Sequence, residues 1–146
     1  MKKIILILLC VCSVSVFAQD KQFNWKTNLE DAKVAAKDGD RPILVFFTNH
    51  QDSESLKMLQ SNFFGSPEFK TLSSNMVLLF VDASGRDKNM TDLEKNKNLR
   101  LVIHYNKTNS FPSLIAIDKN GKVLGEHFKD ISSTSITNYI SFLNTL

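Results

Sequence analysis

Beyond Cys12 the 146-residue chain contains no cysteine. Everything downstream must therefore fold without disulfide staples, and it offers no thiolate for exchange chemistry. Cys10 and Cys12 lie inside an apolar run, Ile4 to Cys12, where they act as small apolar residues; neither follows the small residue that a lipoprotein cleavage box places before its cysteine. No long apolar run follows residue 18, and the first is well short of the ~20 residues that span a bilayer core. No membrane span is expected in the mature chain. An excess of charge is also missing: the net charge is +3, and Lys2 and Lys3 account for two of it. Without a basic stripe there is no electrostatic footprint for nucleic acid. The histidines His50, His104 and His127 are far apart and lack any paired-ligand spacing, so they read as isolated surface residues and no metal is expected. No cofactor motif, repeat or low-complexity linker interrupts the chain.

What is present begins with an export signature. Lys2 and Lys3 form a basic start, the apolar run follows, and Val16-Phe17-Ala18 ends in the small residue that signal cleavage needs before Gln19. Residues 1–18 are expected to be a cleaved signal peptide and 19–146 one domain, exported to a periplasm or secreted. That length suffices for a single compact core.

Helical and strand patterns alternate along the domain. Asn28 caps a helix predicted over 29–38, with Leu29, Ala32 and Ala36 on one face and Gly39 as its stop. Ile43-Leu44-Val45-Phe46-Phe47 is apolar on both faces, as in a central strand covered above and below. Leu56, Leu59 and Phe63 repeat at helical spacing, and Ser66-Pro67-Glu68 has the form of a second helix start. Residues 76–81 read as another buried strand ending at Asp82. Thr91-Asp92-Leu93-Glu94 is a capping box, after which Leu99, Val102 and Ile103 continue a helical face; 101–103 also suits a short strand. Residues 114–117 and 123–127 form a hairpin around Asp118-Lys119-Asn120-Gly121, and Ile136, Tyr139, Ile140 and Leu143 mark a last amphipathic helix after Ser132-Ser133. The turn lacks the later oxygen ligands of a calcium loop. Asn89-Met90-Thr91 and Asn106-Lys107-Thr108 are glycosylation sequons that matter only in a eukaryotic secretory pathway.

This order, with Trp25, Leu29-Glu30-Asp31-Ala32, Ala36-Lys37, Arg41-Pro42-Ile43-Leu44, Phe47-Thr48, Val81-Asp82 and Phe111-Pro112-Ser113-Leu114, resembles the thioredoxin-like superfamily and its exported branch over Phe23 to Leu146. The resemblance implies a three-layer α/β fold, a central mixed sheet flanked by helices. It also implies that Asp52-Ser53-Glu54-Ser55 occupies the Cys-x-x-Cys position, with Asp52 and Ser55 at the places of the two thiols. A carboxylate and a hydroxyl cannot form a disulfide. The same helix start favours an anion, so Asp52 or Ser53 is expected to cap the helix. Pro112 resembles the family's cis-proline, and Phe111 before it is either core packing or a docking ring.

Two function classes follow. In the first, the domain is redox-inactive, has no catalytic residues, and binds a protein or an extended peptide through His50, Phe111 and Pro112. In the second it is an enzyme, a thiol–disulfide oxidoreductase relative acting through the cysteines of a partner. His50, Asp52 and Ser53 or Ser55 do not make a triad on sequence proximity alone. The sequence assigns no oligomeric state.

Overall fold

The computed structural model describes residues 23–146. The segment assigned to the signal peptide lies outside the described residues. The elements are β1 (Trp25–Lys26), α1 (Leu29–Gly39), β2 (Ile43–Thr48), α2 (Glu54–Met58), α3 (Pro67–Leu72), β3 (Val77–Asp82), α4 (Asp92–Tyr105), β4 (Ser113–Ile117), β5 (Val123–Phe128) and α5 (Ser133–Leu143). They form one five-stranded sheet of order β1-β3-β2-β4-β5. The β1, β3 and β2 strands run parallel, and β4 and β5 are antiparallel to their neighbours. The sheet is mixed and flanked by helices on both faces, which is the three-layer α/β arrangement that the sequence predicts.

Strand alternation divides the core in two. Leu44, Phe46, Leu78, Leu114 and Phe128 face α2, α3 and α5 and pack with Leu59, Phe63, Phe69 and Tyr139. Ile43, Val45, Phe47, Leu79, Val81 and Ile117 face α1 and α4, against Ala32, Ala36, Val102 and Tyr105. Every residue of β2 is buried, as its two-sided apolar run requires.

Local chemistry sets most boundaries. Asn28 accepts the Glu30 N–H at 2.8 Å, Ser66 accepts the Phe69 N–H at 3.1 Å ahead of Pro67, and Ser132 accepts the Ser135 N–H at 3.3 Å. At α4 the Thr91 and Glu94 side chains exchange bonds with each other's backbone, completing the capping box. The end of α1 differs by one residue from the expectation. Gly39 is still helical, and Asp40 takes the left-handed conformation at φ 48°, which a short polar side chain tolerates. Its carboxylate is held at 2.6 Å by Lys119.

Three further departures have physical causes. Residues 101–103 are helical, and the inward stripe of α4 is Asn98, Val102 and Tyr105, so Leu99 and Ile103 are 54% and 67% exposed. After α2 the helix widens over Leu59–Phe64 into five-residue hydrogen bonding, with the Gly65 N–H on the Gln60 carbonyl at 2.9 Å. This turns Phe63 and Phe64 inward together, with Phe64 5.5 Å from Trp25 and 5.1 Å from Phe46 between ring centres. Finally β1, which the sequence patterns do not predict, pairs with β3 through Trp25 and Leu78.

Candidate functional site

The C-terminal ends of β2 and β3 and the start of β4 meet at one edge of the sheet. Thr48 pairs with Asp82 and Phe47 with Ser113, so the turn 49–53 projects beside Phe111 and Pro112. Ligand crevices of open α/β sheets form at strand ends of this kind.

The turn is built by its own side chains. Asn49 accepts the Gln51 N–H at 3.2 Å, Thr48 Oγ1 accepts the His50 N–H at 3.1 Å, and His50 lies at φ 55°. Ser53 is the helix cap, its Oγ accepting the Leu56 N–H at 3.1 Å. Asp52 stays outside the helix, 3.5 Å from the Lys57 ammonium with its side chain 82% exposed. Glu54 and Ser55 are exposed as well. The structure therefore resolves the choice between Asp52 and Ser53 in favour of Ser53.

His50 finds a partner that sequence reasoning missed. Its Nε2 lies 3.3 Å from Oδ2 of Asp82, a carboxylate only 3% exposed. The other oxygen of Asp82 accepts the Ser84 N–H at 2.7 Å, and its carbonyl accepts the Asn98 side-chain amide at 3.0 Å. The imidazole also rests 5.9 Å from the Phe80 ring. Such a carboxylate orients an imidazole. None of Asp52, Ser53 and Ser55 bonds the imidazole; a triad through them is not assembled. The available signal was Asp82 closing an apolar strand, since a carboxylate about to be buried needs a partner.

Facing the turn, the Phe111–Pro112 peptide bond is cis. Pro112 is buried, and Phe111 is half-buried against the α1 and α4 side of the core. Asn106, 1% exposed, clamps this segment: its amide donates to the Ser110 carbonyl at 2.8 Å and its oxygen accepts the Ser110 N–H at 3.0 Å. Pairing with β2 begins only at Ser113, so Phe111 and Pro112 stand outside the ladder.

The remaining histidines lie elsewhere. His104 is exposed; His127 corrects the surface expectation, being half-buried with its Nε2 unpartnered. Burial, with Lys129 nearby, pushes the His127 pKa below 6.5. Among the described residues no group of three or more His, Cys, Asp or Glu is placed to hold a metal ion, and no helix is long and apolar enough to cross a membrane.

The sequence model of the thioredoxin-like family matches residues 24–118, more than half of the chain and all of the site. The chain belongs to the thioredoxin-like family. Solved structures agree with this thioredoxin-like assignment. An oxidoreductase named DsbH is 24% identical, with 85% of this chain and 86% of that one covered and a TM-score of 0.69. A thioredoxin from Thermus thermophilus gives 14% identity, 82% and 85% coverage and a TM-score of 0.60. A disulphide isomerase from Xylella fastidiosa Temecula1 gives 16%, 80%, 88% and 0.58 in the same order. At these identities the likeness is one of fold. No curated protein matches this chain significantly.

Proposed function

We propose that this thioredoxin-like chain is exported by cleavage after Ala18 and serves as a thiol-free binding module, with Asp52 and Ser55 standing where redox relatives carry cysteines. A protein or an extended peptide docks on the edge formed by His50, Phe111 and Pro112. The observation that carries this reading is the combination of a cysteine-free sequence from residue 13 onward with an ordered turn beside a segment left outside the β-ladder. Backbone groups next to such a segment suit strand-like recognition, and the half-buried Phe111 ring adds apolar contact. The Asp82 anchor fixes the orientation of the His50 ring at the rim.

A second reading is supported by the names of the structural neighbours, an oxidoreductase and a disulphide isomerase. In it the module holds a partner whose own cysteines do the exchange. Affinity capture from the exported fraction with wild type, Phe111→Ala and His50→Ala separates these ideas from a face without function. Partners retained by wild type and lost by both variants support docking here, and the cysteine content of the partner distinguishes the two readings. Identical retention by all three proteins refutes both.

A further inference from the structure

At the opposite end of the sheet from that edge, a cleft of about 290 Å³ opens where β1, the end of α1 and the segment after α3 come together. Lys26 and Arg41 line it over an apolar floor that includes Phe23 and Met76, and Ser73 and Ser74 close one side. The hydroxyls of those serines are already donated, to the Lys70 and Thr71 carbonyls at 2.9 and 2.8 Å. Lys26 and Arg41 are thus the cationic donors of the lining, beside the Asn24 amide. Among the described residues no carboxylate lines the cleft, and neither Lys26 nor Arg41 has an acidic partner within ion-pair distance.

Arg41 is the more unusual of the pair. Its Nε is buried with no acceptor, and its one bond, Nη2 to the Ala35 carbonyl, is long at 3.4 Å. The side chain folds down over Gly39, where an added Cβ would come within 2.6 Å of that Nε. A buried guanidinium N–H without an acceptor is unfavourable, and an acceptor of opposite charge is what restores the balance.

We propose that this cleft is an oxyanion site that takes a carboxylate or phosphate group on Arg41 and Lys26, with the apolar part of the ligand on the Phe23 and Met76 floor. A small rotation of the Arg41 side chain presents its planar donor edge to two oxygens at once, the arrangement that suits carboxylate and phosphate. The oxyanion has two possible sources, a free small molecule or Asp20 of this chain, which precedes Phe23 by three positions.

The test is an NMR titration of the Arg41 Nε–H signal with inorganic phosphate and with benzoate, on the wild-type chain and on Asp20→Asn. A saturable shift in wild type assigns the site to a free ligand. A saturable shift only in Asp20→Asn assigns it to the chain's own carboxylate. In whichever protein binds, Lys26→Gln and Arg41→Gln should each weaken the probe by about tenfold or more, the scale of one charge-assisted bond, read for Arg41→Gln from the backbone amide shifts of Val77 and Leu78 in the cleft lining. Lys26→Gln keeps the test valid should Arg41→Gln fail to fold. No saturable shift with either probe in either protein, or binding undiminished by Lys26→Gln, overturns the proposal.

Discussion

The exposed imidazole of His50 is tethered to the buried carboxylate of Asp82, Nε2 to Oδ2 at 3.3 Å, across 32 positions of sequence. Two strand ends are linked by it. His50 lies in the turn after β2, while Asp82 closes β3 and is held in addition by Ser84 and Asn98. A turn of fixed shape needs a tie of this kind, because one held only by its own side chains samples several conformations.

Breaking the tie should loosen the turn and cost stability. Asp82→Asn is expected to destabilise the fold by ~1–3 kcal/mol, the range for disturbing a buried polar group with its partners in place. A double-mutant cycle with His50→Ala, read by urea denaturation, should give a coupling energy of ~0.5 kcal/mol or more. Additive effects would mean that the pair is only a proximity.

Thiol chemistry should be absent from the purified protein once residues 1–18 are removed. No turnover above buffer is expected in an insulin-reduction assay, because no thiolate exists to attack the disulfide. The companion variant Asp52→Cys/Ser55→Cys should oxidise to an intramolecular disulfide under mild oxidant, checked by thiol titration and mass. Two thiols that remain fully titratable would show that the turn does not occupy the position of the family's cysteine pair.

Phe111 gives the sharpest separation between packing and docking. It is half-buried, unlike Phe47, which is fully buried in the same half of the core. Phe47→Ala should cost ~3–5 kcal/mol in stability, and Phe111→Ala clearly less. Partner affinity should fall by ~1–3 kcal/mol for Phe111→Ala if the ring anchors the interface. A core-sized loss of stability with unaltered affinity would place the docking surface elsewhere.

Acid should weaken the fold in two stages. The Lys122 N–H chiefly, with those of Asn120 and Gly121, holds the Asp118 carboxyl below 3.8; the Thr91 hydroxyl and then its N–H hold Glu94 below 4.5; burial and Lys129 hold His127 below 6.5. For each group the unfolded chain binds more protons between the two pKa values, so stability rises with pH across that window. The His127 contribution is present above 6.5 and is lost as pH falls through its lower folded value, and the carboxylate contributions are lost at more acid pH. Denaturant melts at a series of pH values should show both stages, and His127→Gln should remove only the first. An unchanged slope near neutrality in that variant would assign it to another group.

Much of the fold was legible because it rests on interactions between near neighbours in sequence. The caps Asn28, Ser66, Thr91 and Ser132 bond within three residues, and the two-sided apolar run of β2 permits only a covered central strand. The site was legible in part. The positions of the turn and of Phe111-Pro112 came from the family resemblance, and the choice of Ser53 over Asp52 as cap was set by where the helix begins, with Ser53 extended and Glu54 its first residue. Asn98 was invisible to an apolar pattern: a polar residue turns inward there only because the Asp82 carbonyl awaits its amide, and Leu99 and Ile103 are left outside in consequence.

The sequence by itself determined that residues 13–146 can perform no thiol exchange, since no cysteine is there. It also determined most of the order of elements after β1 and the apolar faces that make the layers. Only the tertiary structure decided which polar side chains meet: His50 with Asp82, Asn98 with the Asp82 carbonyl, and Arg41 with no acid among the described residues. The reason is physical. A cap or an apolar stripe is specified by residues one to four positions apart, whereas these encounters depend on the register of β2 against β3 and on how the helices seat on the sheet, which the whole core sets together.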